Sequence, residues 1–424
     1  MKCKVSKSFI SGKITCPPNK SYTHRAIFLA SLAGRNSRVD NVLFSKDTEA
    51  TILACRQFGA DIVQKGSSVM VRKPIDTEKH ACGIDAANSG TTIRIATCIA
   101  SLFPHEIMLT GDESLQKRPM QHLLDALESI GARCSSDNGM PPVMIAGRIR
   151  GGSVSVPGSL SSQFASALLI CAPLTEKGID LSIEGNLVSK PYLDATISTM
   201  RMFGASVQTL IPYKRYSVRP QLYTPNTFQV PTDFSSLAML LAASVLNGRK
   251  VLINASLGNL PQGDEVFIDI LEQLGVNVSI GSGGISVDSP DKLSGGRFDL
   301  SNSPDLLPAL AVLALKTSTS IEIFNVRHAR FKETDRISIL RRELSKLGLP
   351  ILEKEDGLVL ESPQILCGAE LCPEKDHRLF MVFCIAGMFV GDCTVRDSES
   401  VAVSYPGFIE DMSRAGAGLS IMQD

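Results

Sequence analysis

The sequence has no surplus of either charge: its 424 residues carry 43 Lys and Arg against 43 Asp and Glu. That balance argues against nucleic acid or an anionic membrane as the main partner. Long hydrophobic runs are missing too. The longest, such as Phe380–Val390, fall far short of the roughly 20 residues that cross a bilayer. The opening MKCKVSKSFISGK has no apolar core of a secretory signal. The eleven cysteines contain no Cys-x-x-Cys. The closest pair, Cys367 and Cys372, has His377 nearby but no second ligand pair at zinc spacing. These thiols read as small buried hydrophobes in a reducing cytoplasm. Also absent are GxxxxGK followed by Ser or Thr, a strand-placed GxGxxG, HExxH and GxSxG. No nucleotide, nicotinamide, metalloprotease or Ser-His-Asp machinery is signalled.

What is present starts with length. The chain is too long for one ordinary core, so two domains are expected, and 44% hydrophobic residues suffice to build them. A helix-like segment ending in Gly and followed by a strand recurs. Its glycines are Gly59, Gly131, Gly204, Gly275 and Gly348, at spacings of 72, 73, 71 and 73 residues, with a weaker sixth copy at Gly416. Each Gly suits a helix C-cap. The period is too long for a solenoid and fits a βαβ-rich unit repeated six times, three per domain. Stiff connectors at CPPN, Cys16–Asn19, and TPNTFQVPTD, Thr224–Asp233, predict one continuous domain over 20–230. The second would combine 1–19 with 231–424, and a ligand is expected in a cleft between the two.

Polar clusters sit where helices begin, and helix N-termini favour anions. NKSYTHR carries Lys20, Ser21 and Arg25; NSGTTIR carries Asn88, Gly90, Thr91 and Arg94; QKRP carries Arg118 just before Pro119 at a helix start. Ser161, Ser162 and Gln163 precede an apolar helix, as do Ser189, Lys190 and Tyr192. Asp305 follows Ser303 and Pro304 in an otherwise apolar stretch and is a general-base candidate. In FKETDR, Lys332 and Arg336 stand four apart. On one helical face such cations repel unless an anion joins them. His377 and Arg378 head a very apolar helix. Scattered cations of this kind suggest one site for a small, highly anionic ligand and proton chemistry on it.

These motifs, in order along the whole chain and ending in SYPGF, identify a resemblance to the 5-enolpyruvylshikimate-3-phosphate synthase family. The resemblance implies an α/β, two-lobed enolpyruvyl-transferase-like fold of six βαβαββ repeats, three per domain, with the active site in the interlobe cleft. It implies transfer of the enolpyruvyl group of phosphoenolpyruvate to the 5-hydroxyl of 3-phosphoshikimate, with phosphate released and no cofactor or metal. Carried over, Lys20, Ser21, Arg25, Ser161, Ser162, Gln163, Ser189, Tyr192, Asp305, His328 and Lys332 bind 3-phosphoshikimate. Lys20, Asn88, Gly90, Thr91, Arg118, Gln163, Arg336, His377 and Arg378 meet phosphoenolpyruvate. Asp305 is the base, Glu333 the acid towards C3, and Lys332 and Lys20 assist. The 20–230 lobe would bind mainly 3-phosphoshikimate. The other would add catalytic and phosphoenolpyruvate-binding residues. A cytoplasmic monomer without nucleic-acid or membrane partners is expected, with glyphosate as inhibitor because Gly90 is retained. Two positions depart from the common pattern. Val403 stands where many members carry a phosphoenolpyruvate-binding Lys, and His328 where some have Asn. Rivals are a UDP-N-acetylglucosamine enolpyruvyl transferase, disfavoured because GDESLQKRP lacks that family's catalytic Cys, and a non-catalytic relative that binds an anionic metabolite. An RNA-terminal-phosphate cyclase would predict a basic surface, against a net charge of zero.

Overall fold

The computed structural model describes residues 1–422 apart from 80, 82, 257 and 259. The chain divides into two compact units. One comprises Met1–Pro17, Thr232–Gly258 and Gly263–Asp424, the other Pro18–Pro231 and Asn259–Gln262. The short 259–262 segment belongs with the second unit because Tyr22 Oη donates to the Pro261 carbonyl at 2.8 Å and Asn19 Nδ2 to Gln262 Oε1 at 2.6 Å.

The described strands form six four-stranded sheets of one design, three in each unit. In one, Gly152–Pro157 runs parallel to Ile179–Glu184. Arg215–Val218 then pairs antiparallel to the latter, and Gln208–Ile211 forms a hairpin edge. Val154, Leu181 and Tyr216 stand in register and are buried. A parallel pair needs a crossover, and where its strands are consecutive a helix supplies it, as Ser162–Cys171 does between Gly152–Pro157 and Ile179–Glu184; each sheet with its two helices is a βαβαββ module. Some modules close with strands far apart in sequence. Thr227–Gln229 pairs parallel with Ser37–Asp40, Ile10–Thr15 with Gly248–Asn254, and Lys2–Val5 lies between Cys393–Arg396 and Leu419–Met422.

Among the described residues twelve α-helices accompany the sheets: α1 Lys20–Leu32, α2 Lys46–Gln57, α3 Gly90–Ala100, α4 Gln121–Ser129, α5 Ser162–Cys171, α6 Lys190–Met202, α7 Phe234–Asn247, α8 Val266–Gln273, α9 Leu307–Leu313, α10 Arg336–Ser345, α11 His377–Val390 and α12 Phe408–Arg414. The six repeat glycines follow α2, α4, α6, α8, α10 and α12, with φ from +83 to +115°. After α6, Gly204 N–H reaches the Arg201 carbonyl and Ala205 N–H reaches that of Met200. This is a Schellman cap, and its left-handed residue is nearly free of cost only for Gly. The residue after each Gly is buried, so the cap turns the chain inward to the next strand.

The odd-numbered helices form the cores. α7 and α9 are buried at every position and pack on each other and on α11. Such helices read as apolar all round, with no polar face to present. Each fully buried Phe of α11, Phe380 and Phe383, contributes roughly 1.5–3 kcal/mol through apolar burial.

Candidate active site

In the unit that contains α1 to α6, hydrogen bonds link α1 to α6, α6 to α5, α5 to α3, and α3 through α2 back to α1. Asn19 caps α1 through Tyr22 N–H. Lys20 Nζ pairs with Asp47 Oδ2 at 3.0 Å. Arg25 is 1% exposed. Its Nε donates to Thr196 Oγ1 at 2.7 Å, Nη1 to the Ser21 carbonyl and Nη2 to the Tyr192 carbonyl, both at 3.0 Å. Burial pushes the guanidinium down to about 10, and it stays charged at neutral pH. Thr196 Oγ1 also bonds Ser166 of α5 at 2.9 Å. From α5, Gln163 Nε2 donates to Thr91 Oγ1 at 3.1 Å, and its Oε1 accepts from Arg94 Nη1 at 2.5 Å. Thr92, Thr51 and His24 Nδ1 close the ring back to α1 at 2.6 and 2.7 Å. Burial first, then Lys20 and Arg25, hold His24 well below its ordinary range, so it is neutral.

Within this ring Gly90 opens α3, behind its cap Ser89. A Cβ there would lie 2.7 Å from Arg94 Nη1, 3.2 Å from Arg118 Nη1 and 3.6 Å from Gln163 Oε1. The absence of a side chain lets two guanidiniums and an amide converge on a helix N-terminus, a geometry for an anion. Arg118 Nη2 donates to Asn88 Oδ1 at 2.8 Å and to Ser114 Oγ at 3.2 Å. Ser161 caps α5 through Gln163 N–H, and Ser162 follows, buried. Ser189 precedes α6 with φ +55°, ψ +42°, a left-handed conformation rare for a non-glycine residue. Arg118 is extended, as expected before Pro119. The helix that follows starts at Gln121, two residues later than the Pro suggests, with Met120 at φ −122°, ψ −15° as its cap.

The other unit gathers the acidic and basic candidates. Arg336, 1% exposed, binds three carboxylates: Asp305 Oδ1 at 2.7 Å, Glu333 Oε2 at 2.6 Å and Asp376 Oδ2 at 2.7 Å. Burial opposes its charge, and Asp376, Glu333 and Asp305 more than offset that. Arg378 Nη2 lies 3.3 Å from Asp305 Oδ2 and Lys332 Nζ 3.8 Å from Asp305 Oδ1. Lys332 is pushed below its ordinary range, chiefly by burial. Lys332 and Arg336 do not share a helical face, because α10 begins at Arg336 and Lys332 precedes it in non-helical backbone. The anion that joins them is the protein's own Asp305. His328, in the turn Arg327–Phe331, is pushed down to about 4 by burial and then by Lys332, and its Nε2 is buried without a hydrogen-bond partner. His377 begins α11 behind the cap Asp376. Val403 is buried in the turn Ser398–Val403 and offers no charge.

The site-residue pattern missed Arg94, Asp47 and Asp376. The signal for Arg94 is its place one turn after Gly90. For Asp376 it is an Asp directly before an apolar helix, the signature of a cap. Nothing local marks Asp47 as the partner of Lys20, 27 residues away.

Six βαβαββ modules in two units, with cation-rich helix starts and a carboxylate held by three cations, define a protein of the enolpyruvyl-transferase class. The family model of EPSP synthase (3-phosphoshikimate 1-carboxyvinyltransferase) matches residues 5–412, and the chain belongs to that family. It is 68% identical to the 3-phosphoshikimate 1-carboxyvinyltransferase of Nitrosopumilus maritimus, over 98% of this chain and 99% of the relative. The enzyme of that name from Methanothermobacter thermautotrophicus is 39% identical, over 97% of each chain. The structure of EPSP synthase from Acinetobacter baumannii superposes with a TM-score of 0.80 at 26% identity over both full chains. The enolpyruvyl transferase NikO from Streptomyces tendae, at 17% identity and a TM-score of 0.77 over 99% of this chain and 98% of its own, shares the fold. Among the described residues no helix is long and apolar enough to cross a membrane.

Proposed function

We propose that the chain transfers the enolpyruvyl group of phosphoenolpyruvate to the 5-hydroxyl of 3-phosphoshikimate and releases phosphate. The observation that carries this reading is Asp305, a carboxylate facing Arg336, Arg378 and Lys332. Such a group is ionised and placed to accept a proton beside anionic substrates. Asp305 takes the 5-hydroxyl proton as that oxygen bonds to C2 of phosphoenolpyruvate, while Glu333 protonates C3. The tetrahedral adduct then loses a C3 proton as the C2–phosphate oxygen bond breaks and phosphate departs. Glu333 is paired with Arg336 in the free protein. A substrate carboxylate drawing on Arg336 would release Glu333 to take up the proton it must donate.

Lys20, Ser21, Arg25, Ser161, Ser162, Gln163, Ser189 and Tyr192 would hold 3-phosphoshikimate, with His328 and Lys332 near its hydroxyls. Gly90 with Asn88, Thr91, Arg118 and Gln163 would receive phosphoenolpyruvate, together with Lys20, Arg336, His377 and Arg378. Arginine suits both anions, since its planar fork bonds phosphate and carboxylate in pairs. The enzyme is read as a cytoplasmic monomer; a stable dimer in sedimentation would exclude that state. The test of activity is phosphate release from phosphoenolpyruvate. It should require 3-phosphoshikimate and fall at least about a thousandfold in Asp305→Ala. Release supported by UDP-N-acetylglucosamine instead would transfer the chain to the rival class.

A further inference from the structure

We infer that Asp264 is a positioning residue for Asp305: a buried carboxyl that holds a proton in the free protein and, on releasing it, strengthens Asp305 as a base. The inference rests on the transferase reading above.

Asp264 lies in the turn Gly263–Glu265 that leads into α8. Its neighbour Gly263 accepts a 2.7 Å hydrogen bond from Ser303 Oγ, which ties this turn to the one that presents Asp305. Asp264 is 5% exposed. Its Oδ2 accepts from Ser235 Oγ, and its Oδ1 is buried without a hydrogen-bond partner.

The charges of the cluster explain why this carboxyl is the odd one. Lys332, Arg336 and Arg378 surround Asp305, and Arg378, Asp305 and Asp233 also act on Asp264. Asp305, Glu333 and Asp376 are in ion pairs. Asp233 caps α7 through Ser235 N–H and accepts from Ser236 Oγ. Asp264 has a single hydroxyl donor for a buried carboxyl, and burying a poorly solvated second negative charge near Asp305 is costly. The groups that face it are Asp305 from the turn Pro304–Leu306, Arg378 from α11, and Asp233 and Ser235 from the start of α7. Glu265, on its own turn, is itself held above its ordinary range by burial. Burial first, then Asp305, push Asp264 up to about 7, against the pull of Ser235 and Arg378. Near neutral pH this side chain is therefore divided between its two forms. An ionised Asp264 makes the proton more welcome on Asp305 and a neutral one less so, because the charge of Asp305 acts on Asp264 and the influence is mutual.

The test is kcat against pH, from 5.5 to 9, for wild type, Asp264→Asn and Ser235→Ala. Wild type should gain roughly fivefold in kcat through a step near neutrality. Asp264→Asn should match wild type at the acid end, lack the step, and fall behind above it. Ser235→Ala removes a donor that favours the ionised form, so its step should move to higher pH. A purely structural role would lower kcat by the same factor at every pH, and parallel profiles would overturn the inference. So would an unshifted step in Ser235→Ala, which carries the test should Asp264→Asn fail to fold. No turnover with 3-phosphoshikimate in the wild type would instead count against the transferase reading. In that event carboxyl carbon NMR on the free protein decides the proton-holding claim. A resonance titrating near neutrality and absent from Asp264→Asn supports it, and ionisation in the ordinary Asp range overturns it.

Discussion

At the scale of single residues, Gly90 makes the sharpest demand. Its missing Cβ leaves room for Arg94 and Arg118 to close on the start of α3. Gly90→Ala places a methyl 2.7 Å from Arg94 Nη1, the far end of a flexible side chain. The fold should survive, while the anion site loses its geometry. Its KM for phosphoenolpyruvate is expected to rise about tenfold, and glyphosate, read here as a competitor of phosphoenolpyruvate, should inhibit correspondingly less. Unchanged KM and inhibition in steady-state kinetics would show that Arg94 simply swings aside. Asp305 was marked as a general-base candidate by its position beside a helix-start Pro in an apolar run. Its true partners were not. The spacing of Lys332 and Arg336 suggested a shared helical face, yet the chain stays irregular until Arg336 and a carboxylate 31 residues away joins the two cations. Local spacing carries no information about which distant charge will fill a gap.

At the scale of elements, the glycine period was the strongest signal in the sequence because it marks a backbone requirement. Each glycine occupies the left-handed position of a helix C-cap. Gly275 has open space, since a methyl added there would have Ser294 Oγ as its nearest neighbour at 3.8 Å. At Gly204 an added methyl would collide with Thr224 Oγ1 and lie 3.1 Å from Thr224 Cγ2. Gly275→Ala should therefore cost about 1 kcal/mol, the conformational term alone. Gly204→Ala should cost roughly 2–3 kcal/mol, conformation plus clash. Urea melts check both, and equal losses would remove the packing argument at Gly204. The hydrogen bonds that tie α1 to α6 and α5 through Thr196, α5 to α3 through Thr91, and α3 to α1 through Thr92 and Thr51 were not legible. Thr51 and Thr196 sit mid-helix, where the sequence cannot say which neighbouring helix they will face.

At the scale of the molecule, stability should respond to acid through its buried imidazoles. His328 is pushed down to about 4 from its ordinary 6.5, so the native protein takes up its proton later than the unfolded chain. Its contribution is fully present above pH 6.5 and is lost as pH falls through 4. His328→Asn should erase up to roughly 3 kcal/mol of that acid loss. It should leave stability at pH 8 within about 1 kcal/mol of wild type. Parallel stability curves for the two proteins between pH 8 and 4 would mean that His328 is solvated enough to titrate normally. The six-module plan was legible at this scale because caps and crossovers repeat locally. The strands that close modules across the sequence, Lys2–Val5 and Thr227–Gln229, were not marked by any local pattern.

The function proposed for the chain is the joining of phosphoenolpyruvate to 3-phosphoshikimate. Phosphorus NMR of the two substrates with the protein tests it most directly. The prediction is the matched loss of both substrate resonances, with one equivalent of inorganic phosphate and one of a new phosphate monoester signal. Phosphoenolpyruvate that stays intact beside bound 3-phosphoshikimate, or phosphate released without a new ester, would contradict it.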